Sequence, residues 1–293
     1  MAPDALPPFA WRRRHWLAAA ALGLPARPAS ARVVLRYAQL ALLPQDLRLN
    51  FALSLLQLAL ATQGVEASFE PTEMAMERPR AFRALREGHI DFMWAALNDE
   101  AERLARPIYI PLYRGLMGQR VFIIHKERQA QFAAVNKLED LAGLTAGQGV
   151  GWVDTTILRA AGLKVVSNTY DALFRMVARG TIDYFPRGAL EAVGELSLRS
   201  QDAPELMLEP RLLLSYRNDQ IFYVRHENKA LAAQIEAGLR SLHESGAYRR
   251  LFDTHTFTKE GLRGANLERR LRFHIPNPTL SPAANAIPDR YWM

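Results

Sequence analysis

Residues 82–97, FRALREGHIDFMWAAL, and residues 174–190, FRMVARGTIDYFPRGAL, repeat one unit. Aligned on Gly88 and Gly180, Phe82 meets Phe174, Arg83 meets Arg175, Ile90 meets Ile182, Asp91 meets Asp183 and Phe92 meets Tyr184. Each copy reads as an amphipathic helix stopped by a glycine, a linking residue and a short apolar strand. A single such unit is common; a matched pair constrains the chain to an α/β fold of two similar αβ lobes. VFIIHKER (121–128) and IFYVRHEN (221–228) match as well, both β-branched and aromatic strands running into a charged turn. Flanking the second unit, they read as two crossing strands between lobes. Lobe 1 is then discontinuous, 33–122 plus 219–262, and lobe 2 runs over 123–218. Residues 50–63 carry helical apolar spacing, and 230–252 do so with a break at Gly246. Residues 263–293, proline-rich and aperiodic towards the end, read as an extended tail lying on a lobe, with a disordered tail as the alternative.

The first 31 residues are set apart. Arg12-Arg13-Arg14, the apolar run Trp16–Leu24 and Ala29-Ser30-Ala31 have the layout of a cleaved secretory signal peptide. The run is short of the ~20 residues that span a bilayer. Arg13-Arg14-His15-Trp16-Leu17 is similar to a twin-arginine export signal. Of 37 basic and 30 acidic residues, this segment holds four and one, so the remainder carries a net charge near +4. No basic stripe interleaved with aromatics supports nucleic-acid binding. The chain has no cysteine, which removes disulfides, thiol catalysis and thiolate metal sites. Beyond the leader, His89, His125, His226, His243, His255 and His274 are dispersed, without metal-ligand spacing. No G-x-S-x-G elbow is present, and the Gly149–Gly151 stretch lacks the lysine of a phosphate loop. No catalytic residue, cofactor or metal is expected.

A leader, two αβ lobes and two crossing strands together resemble extracytoplasmic solute-binding proteins. More closely, the chain is similar to a divergent subgroup of family 3, the amino-acid-binding branch of the type II periplasmic binding protein fold. Lys137-Leu138-Glu139-Asp140-Leu141-Ala142-Gly143 resembles the family's entrance to lobe 2, and Asn228-Lys229-Ala230-Leu231 with Gly246 its closing helical region. The resemblance implies a periplasmic protein that encloses a small ligand between two lobes for an ABC transporter or a membrane sensor. It also implies an arginine on a lobe 1 loop that clamps the ligand carboxylate. Arg103 stands where that arginine falls, ten residues before Tyr113, with Glu100 in place of the usual threonine and Arg106 as a competitor. A lobe 2 helix start is implied to receive carboxylate oxygens; here Thr155 and Thr156 follow Asp154, itself read as a helix cap.

Where amino-acid binders keep an aspartate for the ammonium, this chain has Arg187 and Gly188. A guanidinium there would attract a carboxylate, phosphate or sulfonate. It could equally pair with Glu191, four residues on, and be oriented by it. Trp94 and Trp152 are candidate aromatic walls or core groups. Tyr37 either reaches the cleft or only finishes the first strand. Asp91 and Asp183 read as structural strand-end groups. The expected function is capture of a small polar, anionic solute, amino-acid-like or an organic acid. A dehydratase-like enzyme on the same scaffold, with Glu191 as its acid, and a degenerate lobe pair acting as a protein-interaction module are the alternatives.

Overall fold

The computed structural model describes residues 32–39 and 48–293; the expected signal peptide lies outside the described residues. In chain order the strands are β1 (Val33–Tyr37), β2 (Ala67–Pro71), β3 (Phe92–Ala96), β4 (Arg106–Pro107), β5 (Gln119–His125) and β6 (Thr145–Gly149). They continue as β7 (Lys164–Asn168), β8 (Tyr184–Gly188), β9 (Leu206–Leu208), β10 (Leu212–Ser215), β11 (Gln220–Val224) and β12 (Leu271–His274). The first sheet is five-stranded, in the order β2-β1-β3-β11-β4. The second is seven-stranded, β12-β10-β5-β8-β6-β7, with β9 also on β5.

The repeated unit appears twice as read. Helix Arg78–Glu87 ends on Gly88 at φ 76° and feeds β3; helix Tyr170–Ala178 is followed by Gly180 at φ 67° and feeds β8. Positive φ costs glycine nothing, so both helices stop there. The paired aspartates do one job. Asp91 accepts a hydrogen bond from the Arg36 amide at 2.7 Å and Asp183 from the Thr145 amide at 2.6 Å, each clipping its strand to the parallel neighbour. The two strands read as crossings are equally alike, β11 lying antiparallel to β3 and β5 antiparallel to β8. Side chains of β5 alternate between two cores: Val121 and Ile123 face one layer, Phe122 and Ile124 the other. A strand covered on both sides is apolar throughout, which is why VFII shows no polar alternation.

The chain passes between the sheets through 108–118 and returns through 216–219. The passages touch closely: the Tyr216 amide donates to the Gly118 carbonyl at 3.1 Å, and a Cβ at Gly118 would overlap the Tyr216 carbonyl oxygen. Asp219, fully buried, accepts from the Tyr113, Gly115 and Gln220 amides at 3.1, 2.5 and 2.6 Å, bolting one passage to the other.

The C-terminal residues differ from the expected extended tail. After helices Lys229–Glu244 and Ala247–Thr254, helix Thr256–Ala265 puts Phe257 into the first core and Ala265 into the second. Strand β12 then joins the second sheet beside β10, and residues 277–293 return to the first lobe. There the Asp99 amide donates to the Thr279 carbonyl at 2.9 Å, and Ala284, Ile287 and Tyr291 enter the first core. Apolar residues spaced among prolines hold this segment down without helical periodicity.

Candidate functional site

Parallel strands of both sheets end facing one cleft, the usual place for ligands in such sheets. A cavity of about 260 Å³ lies there, a little under the roughly 300–1,000 Å³ of typical small-molecule sites. Pro79, Phe82, Trp94, Asn98 and Gln220 line it from the first lobe; Arg120, Trp152, Tyr170, Arg187 and Glu191 do so from the second; Met117 and Asn218 come from the passages between.

Arg187 sits in the second-lobe wall, with only 2 % of its surface exposed. Its Nε and Nη2 donate to both Glu195 oxygens at 2.7 and 2.6 Å, and Nη2 lies 3.0 Å from Glu191. The ring of Trp152 lies against the guanidinium, centroid 4.6 Å from Cζ. Burial disfavours this charge, but Glu191 and Glu195 outweigh it and raise the pKa further. Helix Ala192–Leu198 positions the pair, placing Glu195 in its first turn while Glu191 precedes it and accepts from the Gly188 amide at 3.0 Å. Thus the strand end carries an arginine because a helix begins there with two carboxylates to meet it.

A second buried arginine, Arg120, extends the network. It donates to Asp154 at 2.5 Å and to the Tyr216 hydroxyl at 2.8 Å, and lies 3.7 Å from Glu191. Tyr216 also donates to Asp154. Asp154 is therefore not a helix cap: Val153 holds that position in helical conformation, without a side-chain bond, and Asp154 is the first residue of helix Asp154–Ala160. Arg120 and Arg187 face Asp154, Glu191 and Glu195, leaving carboxylates in excess by one.

Of the other expected residues, Trp94 and Trp152 both stand on the cavity wall. Trp94 also packs on Phe92, Tyr37 and Phe222, while Trp152 stacks on Phe185. Tyr37 is buried against Phe92 and Trp94, with ring centroids 5.8 and 6.0 Å away, and finishes its strand behind the wall. Arg103 is exposed on helix Asp99–Leu104, bonded to Asp99 one turn back at 2.8 Å and outside the cavity lining. Asn98 caps that helix by accepting from the Ala101 amide at 2.8 Å. Thr155 faces Ser167 at 3.4 Å, Thr156 is exposed, and neither lines the cavity. Arg106 donates to the His226 carbonyl at 2.9 Å.

Arg120, Asp154 and Asn218 are not marked as cavity-lining by their local sequence. Arg120 and Asp154 meet across 34 residues, so no spacing advertises them. Glu195 alone carries a local signal, one turn beyond Glu191. Among the described residues no cluster of His, Cys, Asp and Glu could hold a metal, and no helix is long and apolar enough to cross a membrane.

A two-lobed α/β body whose facing strand ends enclose a small cavity is the type II periplasmic binding protein fold. Residues 51–258 match the model of bacterial extracellular solute-binding proteins, family 3, and the chain belongs to that family. No curated protein matches its sequence. Among solved structures it is similar to an ancestral arginine-binding protein bound to arginine, at 18 % identity and a TM-score of 0.56 over 76 % of this chain and 98 % of that one. It is also similar to AbpA of Streptococcus pneumoniae, an amino acid ABC transporter substrate-binding protein bound to L-arginine (18 %, TM-score 0.55, 80 % and 95 %). A histidine kinase sensor domain resembling periplasmic binding proteins matches at 17 % identity and a TM-score of 0.57, over 78 % and 98 %. At these identities the likeness establishes the fold.

Proposed function

We propose that this solute-binding protein captures a small solute of amino-acid size between its lobes, outside the cytoplasmic membrane, and presents it to an ABC-type transporter or a sensor. The observation that carries the reading is the cavity lined from both lobes and from the passages between them. Only a ligand touching both halves gains from holding them together, so binding favours one arrangement of the lobes. The basic, apolar and small-residue segments of the first 31 residues support export to the periplasm, by a twin-arginine or ordinary secretory route.

The anionic solute inferred from Arg187 in the sequence is not the one that the buried charges favour. The two buried guanidiniums, Arg120 and Arg187, are matched by carboxylates, and around the cavity wall Glu77, Glu100, Asp154 and Glu191 outnumber Arg78, Arg120 and Arg187 by one. That balance suits a solute carrying an ammonium group, as an amino acid does, and opposes a simple anion. Binding is also favoured over turnover. Glu191, the acid a dehydratase reading would need, accepts from Gly188 and pairs with Arg187.

Thermal-shift screening of the protein against amino acids, organic acids and phosphorylated or sulfonated metabolites tests this. A specific solute at a hundredfold excess over its Kd should stabilise by about 2.7 kcal/mol. An amino acid is the expected hit. Stabilisation by dianions alone would overturn the charge assignment. No hit in any class would overturn solute binding and favour a protein-interaction role.

A further inference from the structure

The buried charged groups around the cavity all have partners among themselves, but one buried amide there has none. Asn218 lies on the cavity wall beside Met117, Arg120 and Gln220, and none of its surface is exposed. No protein group among the described residues bonds its Oδ1 or its Nδ2. Its backbone cannot move to relieve this. The preceding Tyr216 amide is held by the Gly118 carbonyl at 3.1 Å. The following Asp219 carboxylate is held by three backbone amides, and the Asp219 carbonyl accepts from the Leu97 amide at 2.9 Å. At Gly118 a side chain would run into Tyr216 and the Asn218 backbone, so the opposing passage presses close beneath the residue.

An amide buried without partners costs stability, and proteins seldom keep one without a use. The two buried, unbonded atoms, one donor and one acceptor, define their partner. A carboxylate would satisfy only Nδ2, and an ammonium or guanidinium only Oδ1. A neutral primary carboxamide offers a donor and an acceptor side by side and satisfies both. We infer that Asn218 is a specificity-determining contact of the cleft, selecting solutes that carry a carboxamide over their acidic and cationic counterparts. This rests on the reading of the cleft as the solute site. It also agrees with the paired arginines and the carboxylate in excess beside them, which leave little reward for a side-chain carboxylate.

The test measures binding of L-glutamine, L-asparagine, L-glutamate and L-arginine to the full-length protein and to Asn218→Leu, Asn218→Ser and Asn218→Asp, by calorimetry. The unliganded Tm of each is measured alongside. The wild type should prefer an amide probe over L-glutamate and L-arginine by about tenfold or more, since a site built to bond a polar group rejects analogues that cannot answer it. Asn218→Leu should erase that preference while its unliganded Tm stays level or rises, because the unanswered amide is gone. Asn218→Ser, smaller and still polar, should weaken the preference without erasing folding. Asn218→Asp should move the preference towards L-arginine. An amide preference that survives in Asn218→Leu overturns the inference. So does a marked fall of unliganded Tm in both Asn218→Leu and Asn218→Ser, which would make the amide structural. A wild type that binds only non-amide solutes overturns it too, while the cleft reading stands. If the wild type binds nothing in the wider solute screen, the cleft reading itself fails and this inference with it.

Discussion

Arg187 is a buried cation whose two carboxylate partners are as buried as itself. Removing one side of such a group leaves uncompensated charge in the interior, which typically costs about 3–5 kcal/mol. Arg187→Ala should therefore lower the unfolding free energy read from urea titration by that measure, whether or not solute is present. Loss of binding with unchanged stability would mean that Arg187 serves the ligand alone. Two further groups set opposite pH limbs. Burial pushes Asp219 from 3.8 up to about 7, against the three amides that pull it down. A carboxyl raised in the fold stabilises below its unfolded pKa, and that contribution fades as pH rises from about 4 through 7. His243, packed on Tyr248 and Tyr291, is lowered from 6.5 to about 4 by burial and by Arg114 and Arg290. Its contribution is complete above pH 6.5 and fades as pH falls through 4. Urea midpoints against pH should accordingly lose the acid limb in His243→Phe and the rise towards low pH in Asp219→Asn. Arg187 is visible in the sequence because a guanidinium at a strand end is chemically out of place. The sequence points to Glu191 as its partner rather than Glu195, because the bidentate geometry of Glu195 is decided by where the next helix turns. Asn218 leaves no mark at all, since lacking a partner is a property of the packed interior.

Among the elements, the legible ones are those whose physics is local. Helices ended by Gly88, Gly180 and Gly246, and strands such as VFII with no polar alternation, can be read directly because the glycine φ and the burial pattern do not depend on distant neighbours. Helix Lys229–Glu244 is equally plain, but its use of Gly238 is not. That glycine lies against the Ala59 backbone of helix Arg48–Thr62, so close that a Cβ would overlap the carbonyl. Helices can approach so closely only over a residue without a side chain. Gly238→Ala gains helix propensity, about 1 kcal/mol, but must push the helices apart, a cost of about 1–3 kcal/mol in a packed core. Net destabilisation is expected in a thermal melt, and a raised Tm would show that the helices yield freely. The elements that cannot be read are defined by their neighbours. Strand β4 is two residues opposite Tyr223 and Val224, and β12 is a strand only because the edge of β10 is there to pair with it.

At the scale of the whole molecule, the C-terminal segment changes how the lobes can move. The family match ends at residue 258, and the chain beyond it ties the halves together again. Strand β12 is fixed to the second sheet, and residues 277–293 then grip the first lobe and both passages. The Asn277 side chain donates to the Arg217 carbonyl at 2.8 Å, and Arg217 donates in turn to the Ile287 carbonyl at 2.6 Å. Trp292 lies over Arg217, 4.2 Å from Cζ, and fills the space above Gly115; the Met293 amide donates to the Arg114 carbonyl at 2.9 Å. A hinge bends by changing φ and ψ at a few residues, and here those residues are held from outside by the end of the chain. Rotation of the lobes must strip this segment from one of them, so it should be small while the segment is docked. The absence of cysteine makes the point easy to measure, because Gln57→Cys and Thr156→Cys give one spin label on an exposed position of each lobe. Pulsed dipolar distances should form one narrow distribution in the intact protein, and should broaden or lengthen when residues 276–293 are deleted. Trp292→Ala with Arg217→Ala should do the same to a lesser degree in a fully folded chain. A broad distribution in the intact protein, or none of these changes in the variants, would show that the passages alone govern the hinge.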